Sequence, residues 1–174
     1  MELSDAISLI QTIEIERGTP QIWADLGSGS GLFTRALAHM LAAKSKIYAV
    51  DRNPAPVKLK SFSSNVQMIP LQLDFIKDPL DLESLDGILM ANALHFVQDK
   101  KDFLHKTSAW FKNRPKFLIV EYDTDKPNPY VPYPLSFLTL KQLFQDAGFS
   151  SIVKITERPS LYNSGKIYSS MITK

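Results

Sequence analysis

Short apolar segments alternate with helix-like segments along most of this 174-residue chain, and this alternation limits the possible folds more than any other feature. We predict seven strands, at residues 21–25, 46–51, 66–73, 86–91, 116–122, 151–157 and 166–172. We predict helices at residues 4–16, 32–43, 54–62, 79–85, 96–112 and 139–147. Because parallel strands need long crossover connections, the alternation predicts an α/β fold with a mostly parallel, seven-stranded sheet covered on both faces. Only a loop separates the last two strands, which predicts an antiparallel hairpin at the C-terminal end.

The ends of the first helix are indicated by local sequence. Ser4 is a candidate N-cap, and the apolar residues Ala6, Leu9, Ile10 and Ile13 fall on one helical face. The Gly-Thr-Pro sequence at residues 18–20 then breaks the helix.

The segment after the fifth strand contains prolines at positions 127, 129, 132 and 134, so residues 126–134 are predicted to form a loop. Thr139 and Gln142 have the spacing of a capping box, which predicts that a helix begins there. Gly148 is predicted to end that helix in the left-handed conformation.

The composition is that of one globular domain spanning residues 1–174, with the short first helix and a core from residue 20 onwards. Hydrophobic residues make up 44% and charged residues 22% of the chain. The formal net charge is +2 and the basic residues are dispersed, which argues against a dedicated nucleic-acid surface. Without cysteine, the chain has no disulfides, thiolate metal sites or cysteine nucleophiles, and we predict no metal site. The acidic first residues and the lack of a membrane-length apolar run lead us to expect a cytoplasmic protein with no membrane contact.

A glycine-rich turn, Asp-Leu-Gly-Ser-Gly-Ser-Gly at residues 25–31, lies between the first strand and the second helix. Such a turn lets a ligand approach the backbone and meet the start of a helix. The third glycine comes two residues after the second, not three as in the dinucleotide-binding pattern. Asp25 would repel a pyrophosphate but attract an ammonium group. The turn therefore favours a ligand that carries a cation.

Four motifs in order resemble one family. They are D-x-G-x-G-x-G after the first strand, the acid in YAVDRNP after the second, LDF after the third and ANALHF after the fourth. Together they are similar to the class I S-adenosylmethionine-dependent methyltransferases. The resemblance covers the chain from about residue 22 to the end, and it implies a Rossmann-like doubly wound sheet, methyl transfer to an acceptor and S-adenosylmethionine as cofactor.

The resemblance also implies which residues hold the cofactor. Asp51 would accept hydrogen bonds from the ribose hydroxyls, Asp74 from the adenine amino group, and Asn92 would contact the methionine part. Arg52 and Phe75 would lie beside the adenine. The complete implied set is Asp25, Gly27, Ser28, Gly29, Asp51, Arg52, Asp74, Phe75 and Asn92.

The acceptor is less well indicated. Methyltransferases that act on base or glutamine amino groups typically carry Asn/Asp-Pro-Pro-aromatic after the fourth strand, and this chain has Asn-Ala-Leu-His there, which favours a small molecule. His95 is a candidate base or orienting group, with a capping or packing role as the alternative. Tyr130, with Tyr122 and Tyr133, borders the proline-rich loop, which is either a lid over the substrate or a stiff connector. About twenty residues precede the first strand, too few to cover the acceptor site, so the site is open to a bulky substrate or closed by a second subunit in a homodimer.

Two other functions are compatible with parts of the sequence. The chain could bind S-adenosylmethionine or support a partner without catalysis, because fold does not dictate function. It could also be an NAD(P)-dependent oxidoreductase, because Tyr162 and Lys166 match the Tyr-x-x-x-Lys pattern of short-chain dehydrogenases. That pattern needs a helix to bring the two side chains together, whereas here it falls between two predicted strands.

Overall fold

Seven strands form one sheet in the computed structural model, which describes residues 1–53, 65–160 and 165–174. In chain order they are β1 (Ile22–Leu26), β2 (Lys46–Asp51), β3 (Gln67–Gln72), β4 (Gly87–Ala91), β5 (Lys116–Tyr122), β6 (Ser151–Pro159) and β7 (Lys166–Thr173). The α-helices in this part of the chain are α1 (Leu3–Ile10), α2 (Leu32–Ala38), α3 (Lys100–Thr107) and α4 (Phe137–Asp146).

The strand order in the sheet is β3-β2-β1-β4-β5-β7-β6. Strands β1 to β5 pair in parallel, whereas β7 pairs antiparallel with both β5 and β6. The predicted α/β sheet with its antiparallel C-terminal hairpin is confirmed. The chain moves from β1 to β2 on one side and later to β4 on the other, so the strand order reverses next to β1. Open α/β sheets bind ligands at the carboxyl ends of the strands around such a reversal.

The two faces of the sheet carry separate apolar layers, because successive side chains of a strand point to opposite faces. Trp23 and Leu89 pack in the layer that also contains α1 and α2. Ala24 and Ile88, their neighbours in sequence, pack in the layer that contains α3 and α4. Both layers are buried, which explains why β1, β4 and β5 are apolar on both faces.

Helix α1 is shorter than predicted, and the prediction of a helix at residues 4–16 is corrected. It begins at Leu3, with Glu2 rather than Ser4 as the N-cap residue, and it ends at Ile10. Ile13 is 96% exposed, whereas Ile15 is buried. The chain therefore leaves the helix early and buries a different isoleucine.

The prediction of one long helix at residues 96–112 is also corrected. The segment is divided into a 3-10 turn (Leu94–Phe96), α3 and a second 3-10 turn (Ser108–Trp110). The Asp99 side chain accepts a hydrogen bond from the Asp102 amide and so starts α3 where a continuous helix would pass through.

Other helix boundaries differ from the predictions. Helix α2 ends at Ala38 rather than at residue 43, and residues 79–85 form no helix. Helix α4 is capped by Ser136, whose hydroxyl accepts from the Thr139 amide, so Thr139 lies inside the helix. Gly148 has the expected left-handed conformation, with φ of 81°. Residues 126–134 contain no helix or strand, as predicted, and the predicted helix at 54–62 lies outside the described residues.

The helices of the described segments include none that is long and apolar enough to cross a membrane.

Gly87 permits the close pairing of β1 and β4, because a Cβ atom at this position would overlap three ring carbons of Trp23. We expect Gly87→Ala to lower the free energy of unfolding by about 1–3 kcal/mol, measured by urea denaturation. Gly18 is the matched control, since a Cβ atom there meets nothing within 4 Å. Equal stabilities of Gly87→Ala and Gly18→Ala would show that the Trp23 ring can move aside.

Candidate active site

The glycine turn after β1 holds three left-handed glycines that alternate with serines. Gly27, Gly29 and Gly31 have φ values of 82°, 49° and 74°, which other residues adopt at a cost. The amides of Gly27 and Ser28 donate to the Val50 carbonyl oxygen at 2.8 and 3.0 Å, so the turn is attached to the end of β2. The turn is therefore a fixed part of the sheet edge rather than a loose loop.

Gly27 lies directly against the turn that follows β4. A Cβ atom on Gly27 would be 2.7 Å from the Cβ of Ala93, and 3.4 Å from the Phe75 ring. Only glycine fits at this point, because real Cβ atoms do not approach so closely. The backbone of the first turn is thereby exposed to the cleft between the ends of β1 and β4.

Asp51 at the end of β2 is held by two backbone amides. One carboxylate oxygen accepts from the Gly29 amide at 2.9 Å, and the other accepts from the Asn53 amide at 2.8 Å. An ionised carboxylate has about four acceptor positions. Two positions therefore remain for hydroxyl donors.

A cleft at the carboxyl ends of β1 to β4 brings together most of the residues predicted to bind the cofactor. Six of them line it: Gly27, Asp51, Arg52, Asp74, Phe75 and Asn92. Four further lining residues were not predicted: Ile76, Lys77, Ala93 and Phe96. These four belong to the turns that follow β3 and β4, so the strand ends were the signal that could have found them.

Asp74 and Phe75 form one wall of this cleft. The Asp74 carboxylate accepts from the Ile76 amide at 3.0 Å, and its own amide donates to the Asp78 carboxylate at 2.7 Å. The Phe75 ring packs edge-on against Phe103 of α3, with centroids 6.2 Å apart. The turn is thus stabilised from inside and presents an aromatic surface to the cleft.

Three buried side-chain oxygens beside the cleft have no hydrogen-bond partner within the described residues: Asp25 Oδ1, Ser28 Oγ and Asn92 Oδ1. Buried polar atoms are nearly always paired, so three unpaired oxygens in one region indicate a missing donor. Asn92 also has a left-handed backbone, with φ of 53°, and its amide donates to Val120 at 2.8 Å.

His95 lies behind the cleft, on the 3-10 turn after β4. Its Nδ1 atom is 2.7 Å from a carboxylate oxygen of Glu121, and its backbone amide donates to the other oxygen at 3.1 Å. The two side chains are only 3% and 1% exposed. Glu121 was not among the predicted site residues, although a lone acid near the end of an apolar strand was the signal that could have found it.

The proline-rich loop is joined to the same turn. The Tyr133 amide donates to the His95 carbonyl oxygen at 3.0 Å, and Lys100 Nζ donates to the carbonyl oxygens of Tyr133 and Val97, each at 2.8 Å. Tyr130 is 85% exposed and is not among the residues that line the cleft.

A comparison with known protein families identifies the family of this chain. A family model described as a methyltransferase domain matches residues 24–119, which is more than half of the chain. The chain belongs to this methyltransferase family. The match runs from within β1 into β5, and it includes the ends of β1 to β4 that contribute to the cleft. A search of curated protein sequences finds no match.

Solved methyltransferase structures have the same fold. The chain is 20% identical to the Burkholderia thailandensis 1,6-didemethyltoxoflavin-N1-methyltransferase with bound S-adenosylhomocysteine, with a TM-score of 0.70 over 99% of this chain and 77% of that one. It is 21% identical to an Aquifex aeolicus SAM-dependent methyltransferase (TM-score 0.67, 99% and 98% covered). A Chlamydomonas reinhardtii arsenic (III) S-adenosylmethionine methyltransferase is 17% identical (TM-score 0.65, 98% and 72% covered).

The prediction of a class I S-adenosylmethionine-dependent methyltransferase is thus confirmed at the level of family and fold. The residues of this methyltransferase also fit that cofactor. The three unpaired oxygens can accept from an ammonium group, and the Gly27 backbone lines the cleft where the turn packs against Ala93.

Asp25, on β1 beside the cleft of this methyltransferase, is a buried acid with a perturbed pKa. The carboxyl group is 1% exposed, and Thr34 Oγ1 donates to its Oδ2 at 2.5 Å. Burial raises the pKa of Asp25 from 3.8 to about 7; the Thr34 hydrogen bond opposes this shift, and the charge of Asp51 adds to it. A cation beside Asp25 would relieve the cost of burying the charge.

The raised pKa of Asp25 predicts that the stability of the folded protein depends on pH. Between pH 4 and 7 the folded protein keeps a proton on Asp25 that the unfolded chain releases, so the Asp25 contribution to stability falls as pH rises through this window. The amide oxygen of Asp25→Asn still accepts from Thr34. As pH rises from 4 to 8, we expect the free energy of unfolding of this variant to increase by a few kcal/mol relative to that of wild type. Urea denaturation of the ligand-free proteins, monitored by tryptophan fluorescence, measures the difference.

Thr34→Val supplies a directional control for this experiment. Because the Thr34 hydrogen bond lowers the pKa of Asp25, its loss should extend the pH-dependent window above pH 7. A constant difference between wild type and Asp25→Asn at all pH values would mean that Asp25 has an ordinary pKa.

Proposed function

We propose that this protein transfers the methyl group of S-adenosylmethionine to a small-molecule acceptor. The turn after β4 is the main structural support for a small-molecule acceptor. It presents the Asn92 side chain and the half-exposed Phe96 ring to the cleft and contains no proline. The Asn/Asp-Pro-Pro-aromatic turn typical of enzymes that methylate base amino groups is therefore replaced by a different surface.

Two further observations support a small acceptor. The structural relatives named above include enzymes whose names specify a 1,6-didemethyltoxoflavin and arsenic(III) as acceptors. The net charge of this chain is +2, with dispersed basic residues, which does not favour a polyanionic substrate.

In this proposal the cofactor lies across the ends of β2, β1 and β4. Asp51 uses its two remaining acceptor positions for the ribose hydroxyls. Asp74 and Phe75 hold the adenine, with Arg52 beside it. At the other end, Asp25 and Asn92 hold the amino group of the methionine part.

The bound cofactor supplies an electrophilic sulfonium methyl group, so the main task of the protein is to align the acceptor and exclude water. Phe96 is the side chain that meets an acceptor in the open part of the cleft. We assign His95 the role of a base that takes the acceptor's proton or of a group that orients the acceptor. Tyr133, which is tied to His95 and Lys100, holds one end of the proline-rich loop near this position. Tyr130 can contact the acceptor only if this loop moves over the cleft, and a second subunit would serve as the alternative cover.

Labelled methyl transfer tests the proposal. Cell extract is separated by ultrafiltration into small molecules and retained macromolecules, and each fraction is incubated with the protein and methyl-labelled S-adenosylmethionine. We expect labelled product in the small-molecule fraction and none with Gly27→Ala, whose Cβ atom would overlap that of Ala93 and displace the turn that lines the cleft.

The other results contradict the proposal in distinct ways. Label in the retained fraction alone would mean a protein or nucleic-acid acceptor. Binding of S-adenosylhomocysteine without label in either fraction would favour the non-catalytic alternative, a protein that holds the cofactor as a sensor or supports a partner.

A further inference from the structure

The Glu121 carboxylate contacts His95 through both of its oxygens. One carboxylate oxygen accepts from the His95 backbone amide at 3.1 Å, and the other contacts the ring nitrogen Nδ1 at 2.7 Å. Glu121 lies on β5, whereas His95 lies on the turn after β4, so the contact joins two neighbouring strand ends. The same turn is also held through the hydrogen bond from the Asn92 amide to Val120.

These contacts determine where the imidazole carries its proton. The backbone amide can only donate, so the first oxygen of Glu121 is an acceptor. The second oxygen faces the imidazole, and as part of a carboxylate held by a backbone amide it is an acceptor too. An ionised carboxylate has no proton to give, so in neutral His95 the proton lies on Nδ1. The lone pair is then on Nε2, which has no hydrogen-bond partner among the described residues.

Two aromatic rings lie beside His95. The ring centroids of Phe96 and Tyr122 lie 4.3 and 6.2 Å from that of His95. Phe96 lines the cofactor cleft. Lys100 on α3 interacts electrostatically with Glu121. Asp123 and Asp125 lie near enough to Tyr168 on β7 to act on it together with Glu121, and the Tyr168 phenol donates to the Leu135 carbonyl oxygen.

We infer that Glu121 is a positioning residue that holds His95 in the Nδ1–H tautomer, so that Nε2 can take a proton from a hydroxyl or amine acceptor. The inference rests on the proposed function. The acceptor's lone pair forms a bond to the methyl carbon as the carbon–sulfur bond breaks, the sulfur keeps that electron pair, and the acceptor's proton moves to Nε2. His95 becomes an imidazolium whose Nδ1–H remains bonded to the Glu121 carboxylate.

The wild-type protein provides the first test. Histidine is labelled with ¹⁵N, and long-range ¹H–¹⁵N correlation spectra are recorded above the pH at which His95 loses its second proton. The signals are assigned with His39→Gln and His105→Gln variants. We expect His95 to be the Nδ1–H tautomer, the minor form of free histidine, and an Nε2–H tautomer would overturn the inference.

Glu121→Gln gives a sharper test, because the backbone amide of His95 forces the orientation of the new side chain. The glutamine oxygen must face that amide, so its NH₂ group faces Nδ1 and donates to it. We expect the tautomer to switch to Nε2–H, with the dissociation constant for S-adenosylhomocysteine unchanged within twofold. Asp123→Asn is the matched control, since it removes a carboxylate at the same sheet edge that caps α4 through the Phe137 amide. It should leave the His95 tautomer unchanged.

His95→Asn separates proton transfer from structural support. The asparagine amide can still donate to Glu121, but it has no second nitrogen, so the melting temperature should change little. With a hydroxyl or amine acceptor from the extract experiment, kcat should fall by about 100-fold in His95→Asn and Glu121→Gln. An unchanged kcat in both variants would overturn the proton-transfer role. If S-adenosylhomocysteine does not bind at all, the proposed function fails, while the tautomer measurement still decides the role of Glu121.

Discussion

Parallel pairing of β1 with β2 on one side and β4 on the other is the constraint on which the site depends. The hydrogen bonds of β1 to both neighbours bring three strand ends to one edge of the sheet, where the chain reverses its winding direction. Gly87 permits the pairing of β1 with β4 by leaving room for the Trp23 ring. Beyond the strand ends, Gly27 permits the turn after β1 to pack against Ala93. The cleft is thus a consequence of how closely these backbones approach.

Three buried oxygens beside this cleft lack the donors that a ligand could supply. Asp25 is desolvated with a single hydrogen-bond partner, and the Ser28 and Asn92 oxygens nearby have none within the described residues. Such atoms destabilise the folded state unless a donor arrives. By contrast, Asp51 and Glu121 are each held by backbone amides, so they keep their positions without a ligand. The site therefore combines fixed acceptors with unsatisfied ones.

The sheet and the motif residues could be predicted from sequence because each depends on local patterns. Apolar runs predicted the seven strands of the sheet. Six residues predicted from motifs line one cleft, because parallel strands end at the same edge of a sheet. Helix ends were less predictable, since Asp99 and Ser136 compete with other plausible caps and tertiary packing selects among them. The contact of Glu121 with His95 could not be predicted, because it joins residues 26 positions apart through hydrogen bonds that follow no local pattern.

Isothermal titration calorimetry on wild type and Asp25→Asn at pH 8 tests the central claim, that the unpaired oxygens beside the cleft receive the amino group of the cofactor. Two ligands are compared: S-adenosylhomocysteine, and 5′-methylthioadenosine, which lacks the amino-acid part. We expect the substitution to weaken S-adenosylhomocysteine binding by at least tenfold, because a charged hydrogen bond contributes about 1.5–3 kcal/mol. Binding of 5′-methylthioadenosine should change by less than twofold. Equal losses for both ligands would contradict the account and would mean that Asp25 only maintains the shape of the turn.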